Sequence, residues 1–453
     1  MRTERQLCNI PGMISPDSSQ MSDTVQHIDN KIIPKYFGLF LFIVGTNLIG
    51  LTVINKNLEI VRYLRQPSLG IALVWLFYAF PANAERRRFQ GLTRFFVFLI
   101  VFLAFNVLNS IDRANSAQYS LWLITSFAVL HQFLFVRNHL KFSQLFYQFA
   151  LAVWILGILA IVVSLVGAYV FGIELFFDER YNYSQMQIAV EFSGIFGSNN
   201  SMGFITFITL AFSLFLFQLK KGTGFSRFNL ILAIALIPLI VFIGNRASMA
   251  CAAVFWVLFL TYINRSIPGV LLLIMGFFLG SIIYQDTILQ KLRLEQFEGG
   301  NVFGNRSDLI REALFVAREM DFFGVGYHNQ RVARKYFGVV GDNEKEFNFH
   351  NTYLAVYTEL GPLGLLWIPG FILVILFWPV ARNIPERNLK LIRMLRVFSG
   401  IMVLMYLPVE DSVNSPGSPS FLFFWIGLAL LLIGSYPDVT SSKLYEKKSS
   451  FSD

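Results

Sequence analysis

YQFALAVWILGILAIVVSLVGAYVF, residues 147–171, runs for twenty-five positions without an Asp, Glu, Lys or Arg. At about 1.5 Å per residue such a helix is longer than the roughly 30 Å of hydrocarbon in a bilayer. The stretch therefore reads as a membrane span, and the rest of the chain repeats its pattern. The same rule gives about twelve crossings: 36–54, 68–83, 95–110, 119–136, 147–171, 202–219, 228–245, 248–263, 268–285, 352–381, 396–410 and 419–436. The expected fold class is an all-α polytopic membrane protein.

Composition agrees. Of 453 residues, 55% are hydrophobic, 49 are Phe and only 14% are charged, against about 25% charged in a soluble domain. Mean hydropathy is +0.57. A net charge of +9 points first to nucleic acid, but the basic residues sit between apolar runs, where they act as topology signals. Cys8 and Cys251 form neither a CxxC nor an even framework, so no disulfide scaffold or zinc site is expected. The first thirty or so residues are polar, without the apolar core of a secretory signal.

Short-loop Lys and Arg set the orientation. With the N-terminus inside, the inner loops hold Arg86, Arg87, Arg88, Arg94, Arg137, Lys141, Lys220, Lys221, Arg227, Arg265, Arg382, Arg387, Lys390, Arg393 and Arg396. The outer short loops after the second span keep Arg113, Arg180 and Arg246; Lys56, Arg62 and Arg65 in the first outer loop run against the rule. The division expected is a cytoplasmic tail over 1–35, spans one to nine over 36–285, a large outer loop over 286–350, spans ten to twelve over 351–436, and a cytoplasmic tail over 437–453. Leu309, Ile310, Ala313, Leu314 and Ala317 recur at helical spacing, so the loop should contain an amphipathic helix near 307–320, with Asn305 or Ser307 as its N-cap.

The usual catalytic signatures are missing: no GxxxxGK[ST], HExxH, GxSxG, GxGxxG or Asp-x-Asp occurs. What remains is polar residues on the expected outer side. His350-Asn351-Thr352-Tyr353-Leu354 leads into Ala355-Val356-Tyr357-Thr358-Glu359-Leu360-Gly361-Pro362-Leu363-Gly364. On a helix, His350, Tyr353, Leu354, Tyr357, Gly361 and Gly364 share one stripe, whose glycines admit a close neighbour. A histidine at the outer mouth is suited to take a proton from a hydroxyl; an interfacial histidine bonded to a neighbour fits equally. Glu359 lies roughly 13 Å deeper than His350. A carboxylate there costs about 2.5–3.5 kcal/mol unless paired or wet, so it should face protein, as a structural partner or as part of a site.

Gly-Asn-Arg occurs at 244–246 and again at 304–306. Arg246 falls in a short outer turn and Arg306 at the start of the loop helix. Arginine suits bidentate phosphate contact, and also serves as an interface anchor. Gly194-Ile195-Phe196-Gly197-Ser198-Asn199-Asn200-Ser201-Met202-Gly203 reads as a capped, close-packed turn opening the sixth span, and His328 as a solvent-exposed loop residue. Two arginines and a histidine on one membrane face suggest an anionic lipid-linked substrate and a proton acceptor.

The run from His350 to Gly364 resembles the HNxYL or HSxxL motif, followed by paired glycines, of the O-antigen ligase and polymerase superfamily. The Arg246 turn, Arg306, the Gly324–Gly326 pair and the Asn200 turn match it more loosely, and together these features span about 194–364. The resemblance implies an inner-membrane glycosyltransferase facing the periplasm, without nucleotide, metal or other cofactor. It would move a glycan from undecaprenyl diphosphate to a sugar hydroxyl, on lipid A-core in a ligase or on a growing glycan in a polymerase. Carried over, His350 would be the base and Arg246 and Arg306 would hold the diphosphate, with Asn200, Asn351, Tyr353 and Glu359 as substrate-binding positions. The implied partners are the lipid-linked donor, the acceptor and membrane lipid, not nucleic acid. Asn351 departs from the Ser of typical ligases, and Glu359 from the simplest ligase pattern. A lipid-linked oligosaccharide transporter or flippase is the rival reading, though no repeated halves of the transporter kind are evident; a nonenzymatic assembly scaffold is a third.

Overall fold

The computed structural model describes residues 37–42, 45, 71, 90–135, 142–171, 177–182, 187–196, 198–264, 306–339, 349, 351–380, 384–408 and 419–435. Its helices are α1 (Gln90–Leu108), α2 (Arg113–Phe135), α3 (Phe142–Phe171), α4 (Asn199–Leu219), α5 (Gly224–Ile243) and α6 (Arg246–Leu258). They continue with α7 (Arg306–Glu319), α8 (Gln330–Tyr336), α9 (Thr352–Leu376), α10 (Glu386–Ile401) and α11 (Pro419–Gly434). Single π-helical turns extend α6 over Phe259–Ile263 and α10 over Met402–Tyr406.

A described helix overlaps each span expected within 95–263 and 352–436, most loosely for 396–410, of which α10 and its π turn cover 396–406. The 268–285 span lies outside the described residues, as do most of 36–54 and 68–83. Among the described residues, four helices are long and apolar enough to cross a membrane: Phe142–Val170, Asn200–Leu219, Gly224–Ile243 and Arg246–Ile263. Helix α10 begins ahead of the expected 396–410 segment because its first turns are amphipathic and basic, with Lys390 reaching back to Glu386 at 3.4 Å. The all-α expectation omitted one feature. Phe177–Asn182 and Gln187–Phe192, expected as loop, pair as an antiparallel hairpin with Phe177 opposite Phe192.

Helix α4 forms the axis of the bundle and is almost wholly buried, packed by α3, α5, α6 and α10. Its approach to α3 depends on Gly157, where a Cβ would sit 2.1 Å from Thr209 Oγ1; small residues permit such contacts between helices in lipid. Farther along, the rings of Phe212, Phe215, Phe255 and Phe398 lie 5.3–6.3 Å apart in tilted and edge-on pairs, a geometry that aromatic quadrupoles favour. Leu159, Val162, Val163 and Val166 of α3 point outward, as a lipid-facing side requires.

The two ends of the bundle differ. At one end, turn 220–223 joins α4 to α5, with Lys220 over the Tyr147 ring at 4.6 Å. There Arg387 donates to the carbonyl of Leu219 and Arg396 to that of Trp378, satisfying acceptors that helix ends leave open. At the opposite end α4, α6 and α9 all begin.

Candidate functional site

Helix α5 ends on Gly244, whose φ of +78 lets its N–H return to the carbonyls of Ile240 and Val241. Asn245 then caps α6, its Oδ1 accepting from Ser248 N at 2.7 Å, and Arg246, an exposed residue, opens that helix. The other end of the Asn245 amide, Nδ2, donates to Asn200 Oδ1 at 2.6 Å. Gly203 makes room for this bridge, since a Cβ there would fall 2.6 Å from Asn245 Cβ. The Asn200 turn and the first Gly-Asn-Arg are therefore a single unit. Upstream, Gly194 takes φ +56 and Ile195 N donates to Ser164 Oγ at 3.1 Å, so the turn into α4 is close-packed, as its glycines suggested.

The start of α9 is tied to the same end through the π turn of α10. Asn351 is its N-cap, with Oδ1 accepting from the N–H groups of Tyr353 and Leu354 at 3.0 and 3.1 Å. Thr352 N donates to Leu407 O at 2.9 Å, and the Tyr353 hydroxyl donates to Val403 O at 2.5 Å. The π turn supplies that last acceptor: its wider hydrogen-bond spacing, Leu407 N to Met402 O, departs from the α ladder. Across it, the Tyr406 ring packs tilted against Phe204, one turn beyond Asn200, at 4.8 Å. Asn200, Asn245, Arg246, Asn351 and Tyr353 thus gather at one end of the bundle around residues 402–407.

His350 lies outside the described residues. Both neighbours are anchored: Phe349 N donates to Gln330 Oε1 at 2.9 Å, and Asn351 caps α9. Helix α7 begins at Arg306, within a residue of the expected start. Its Ala313 and Val316 form a small core with Val325, Ala333 and Phe349, against which Leu354 packs. Glu312 holds it to α8 through Arg334 at 2.5 Å. The Arg306 helix is therefore seated on the chain that carries position 350; Asn305 lies outside the described residues.

The glycine stripe is corrected. Helix α9 breaks at Gly361, φ +69 and ψ −172, so its positions do not form one continuous face. Pro362 has no N–H for the carbonyl of Thr358. Val325 N takes that carbonyl at 2.9 Å and Gly326 N takes Glu359 O at 3.1 Å. What approaches Gly361 is loop backbone instead of a helix: a Cβ there would lie 2.0 Å from Phe322 O. Asn106 of α1, fully buried, completes the joint. Its Nδ2 donates to Phe323 O at 2.7 Å and Glu359 O at 2.9 Å, and its Oδ1 accepts from Tyr327 N at 2.8 Å. Glu359 itself is buried. His328 is not the solvated loop residue expected: it is half-buried, at φ +64, with its ring on Tyr119 at 3.6 Å.

Sequence reasoning passed over Asn106, Asn245, Asn329 and Gln330. A polar residue inside an apolar run was the available signal for Asn106, and an Asn just before an apolar helix was the signal for Asn245. Asn329 secures the loop to the turn between α1 and α2 through Ser110 Oγ at 2.7 Å and to α2 through Asn115 Nδ2 at 2.6 Å.

Chemically, the starts of three helices, whose dipoles are positive there, and the Arg246 guanidinium lie at this end, an arrangement that favours an anion, with the first N–H groups of α9 already held by Leu407 O and the Asn351 side chain. No curated protein and no solved structure matches the chain. Residues 231–368 match the family model described as O-antigen ligase. That segment, less than half of the chain, runs from α5 through the Arg246 turn and α7 into α9, and over it the chain is similar to the O-antigen ligase family.

Proposed function

We propose that the chain is a glycosyltransferase of the bacterial inner membrane that transfers a glycan from undecaprenyl diphosphate to a sugar hydroxyl on the periplasmic side. The acceptor is lipid A-core for a ligase or a growing glycan for a polymerase. The observation that carries this reading is the family match over 231–368, whose segment includes the Arg246 turn, the Arg306 helix and the start of α9. In this reading the chain crosses the membrane twelve times with both tails inside. Residues 286–350 form the large periplasmic loop, between transmembrane stretches 36–285 and 351–436.

Arg246 and Arg306 hold the diphosphate, and their fixed cations stabilise charge as it leaves. His350 accepts the proton of the acceptor hydroxyl. The hydroxyl oxygen bonds to the anomeric carbon, the bond from that carbon to the diphosphate oxygen breaks, and the electron pair departs with undecaprenyl diphosphate. Asn200, Asn351, Tyr353 and Glu359 border the substrates. Because Asn200 Oδ1, Asn351 Oδ1 and the Tyr353 hydroxyl each hold a bond within the protein, they shape the site more than they grip the sugar.

The test supplies purified chain in liposomes with one labelled lipid-linked donor, and either lipid A-core or a second donor as acceptor. Labelled lipid A-core identifies a ligase and lengthened donor a polymerase. Donor crossing the bilayer without a new glycosidic bond contradicts the proposal and identifies a flippase.

A further inference from the structure

Helix α7 is apolar in two directions. Ala313 and Val316 face inward to the core under Phe349. Arg311, Leu314, Phe315 and Arg318 fall within one 100° stripe, and all four are exposed, Leu314 and Phe315 at 46% each. Phe322, in the turn that follows, is 57% exposed.

This stripe lies near a second exposed apolar surface. Val97, Phe98, Val101, Phe105 and Leu108 make the outward side of α1. The Phe105 ring stacks on Phe323 at 6.5 Å, and Phe323 meets Phe322 at 5.5 Å. Asn106, the next residue of α1, donates to the Phe323 carbonyl at 2.7 Å. Phe322 and Phe323, in the turn that follows α7, thus meet the apolar side of α1 at the end where α1 leaves its apolar run.

We infer that this face of α7 lies in the headgroup layer of the same membrane, with Leu314, Phe315 and Phe322 entering the acyl boundary and Arg311 and Arg318 meeting lipid phosphates. Large apolar side chains beside arginines are the composition of an interfacial helix, and the arginine stems can lie along apolar surface while their heads stay hydrated. Among the residues whose exposure is described, Glu319 and Asp321 are the exposed acids beside the stripe, so apolar insertion contributes first and phosphate contact second. Docking does not depend on the proposed reaction. If that reaction also holds, the Arg306 end of α7 lies at the depth where a lipid-borne diphosphate travels.

Spin labels test this one at a time on Leu314→Cys, Phe315→Cys and Phe322→Cys, in chain with Cys8 and Cys251 replaced by Ser, reconstituted in liposomes. Collisions with oxygen, enriched in lipid, should exceed those with a water-soluble nickel chelate several-fold at all three sites. The order should reverse for Arg331→Cys, an exposed position on α8. Nickel collisions at 314 and 315 as frequent as at 331 would overturn the inference in favour of a water-facing helix. Protection from both reagents would overturn it in favour of a protein partner.

Discussion

Asn245 Nδ2 donates to Asn200 Oδ1 at 2.6 Å while Asn245 Oδ1 caps the helix that Arg246 opens. One amide therefore fixes both the start of α6 and its distance from the start of α4. The Arg246 guanidinium projects from a position set by two helices instead of a mobile turn.

Replacing Asn245 separates these roles. Asn245→Ser keeps a good capping oxygen but is too short to reach Asn200, so thermal stability should stay within about 0.5 kcal/mol while glycan transfer falls. Asn245→Ala should lose both, with stability down by about 0.5–2 kcal/mol. Transfer and melting measured together check this; full transfer by the Ser variant would show that the bridge does not position Arg246.

Asn351 carries a capping role that Ser also fills. Asn351→Ser should leave stability and transfer close to the parent, whereas Asn351→Ala should cost about 1 kcal/mol. A KM that rises for the Ser variant while its melting is unchanged would instead assign the Asn351 amide to substrate.

The break in α9 is fixed by backbone. Gly361→Ala places a Cβ 2.0 Å from Phe322 O at φ +69 and ψ −172, a region essentially reserved to glycine where the conformation alone costs about 1–3 kcal/mol. Asn106→Leu leaves the carbonyls of Phe323 and Glu359 and the N–H of Tyr327 without this partner, at about 1–3 kcal/mol for each buried group left unsatisfied. Both variants should melt well below the parent in detergent. Unchanged melting of Gly361→Ala would mean that the loop and α9 do not meet there.

Arg246→Lys retains the charge but loses the fork that matches a diphosphate. Binding of lipid-linked donor should weaken, and Arg246→Gln should bind more weakly still. Parent-like transfer by Arg246→Lys would reduce Arg246 to a topology anchor.

Much of the fold was legible because its signals are local. Uncharged runs such as 147–171 are long enough to decide a helix by themselves, and the spacing of Leu309, Ala313 and Leu314 was enough to locate α7. The hairpin at 177–192 escaped because FDERYN and QIAVEF carry too short an alternation to stand out from loop. Of the candidate site, the residue types were legible and the wiring was not. Gly361 read as a helix-packing glycine because its partner, the Phe322–Gly326 backbone, is distant in sequence and contributes main-chain groups that no side-chain pattern reveals. For the same reason the joints made by Asn106 and Asn245, which tie together elements far apart in the chain, leave no local pattern in the sequence.

The most direct measurement is glycan transfer by purified His350→Ala in liposomes, with donor binding and melting followed on the same sample. The expected result is parent-like binding and melting with transfer reduced by about 10²–10⁴-fold, the contribution of a positioned general base, and unreacted lipid-linked donor left behind. Transfer at the parent rate by a folded His350→Ala would contradict the role of His350 and the mechanism built on it.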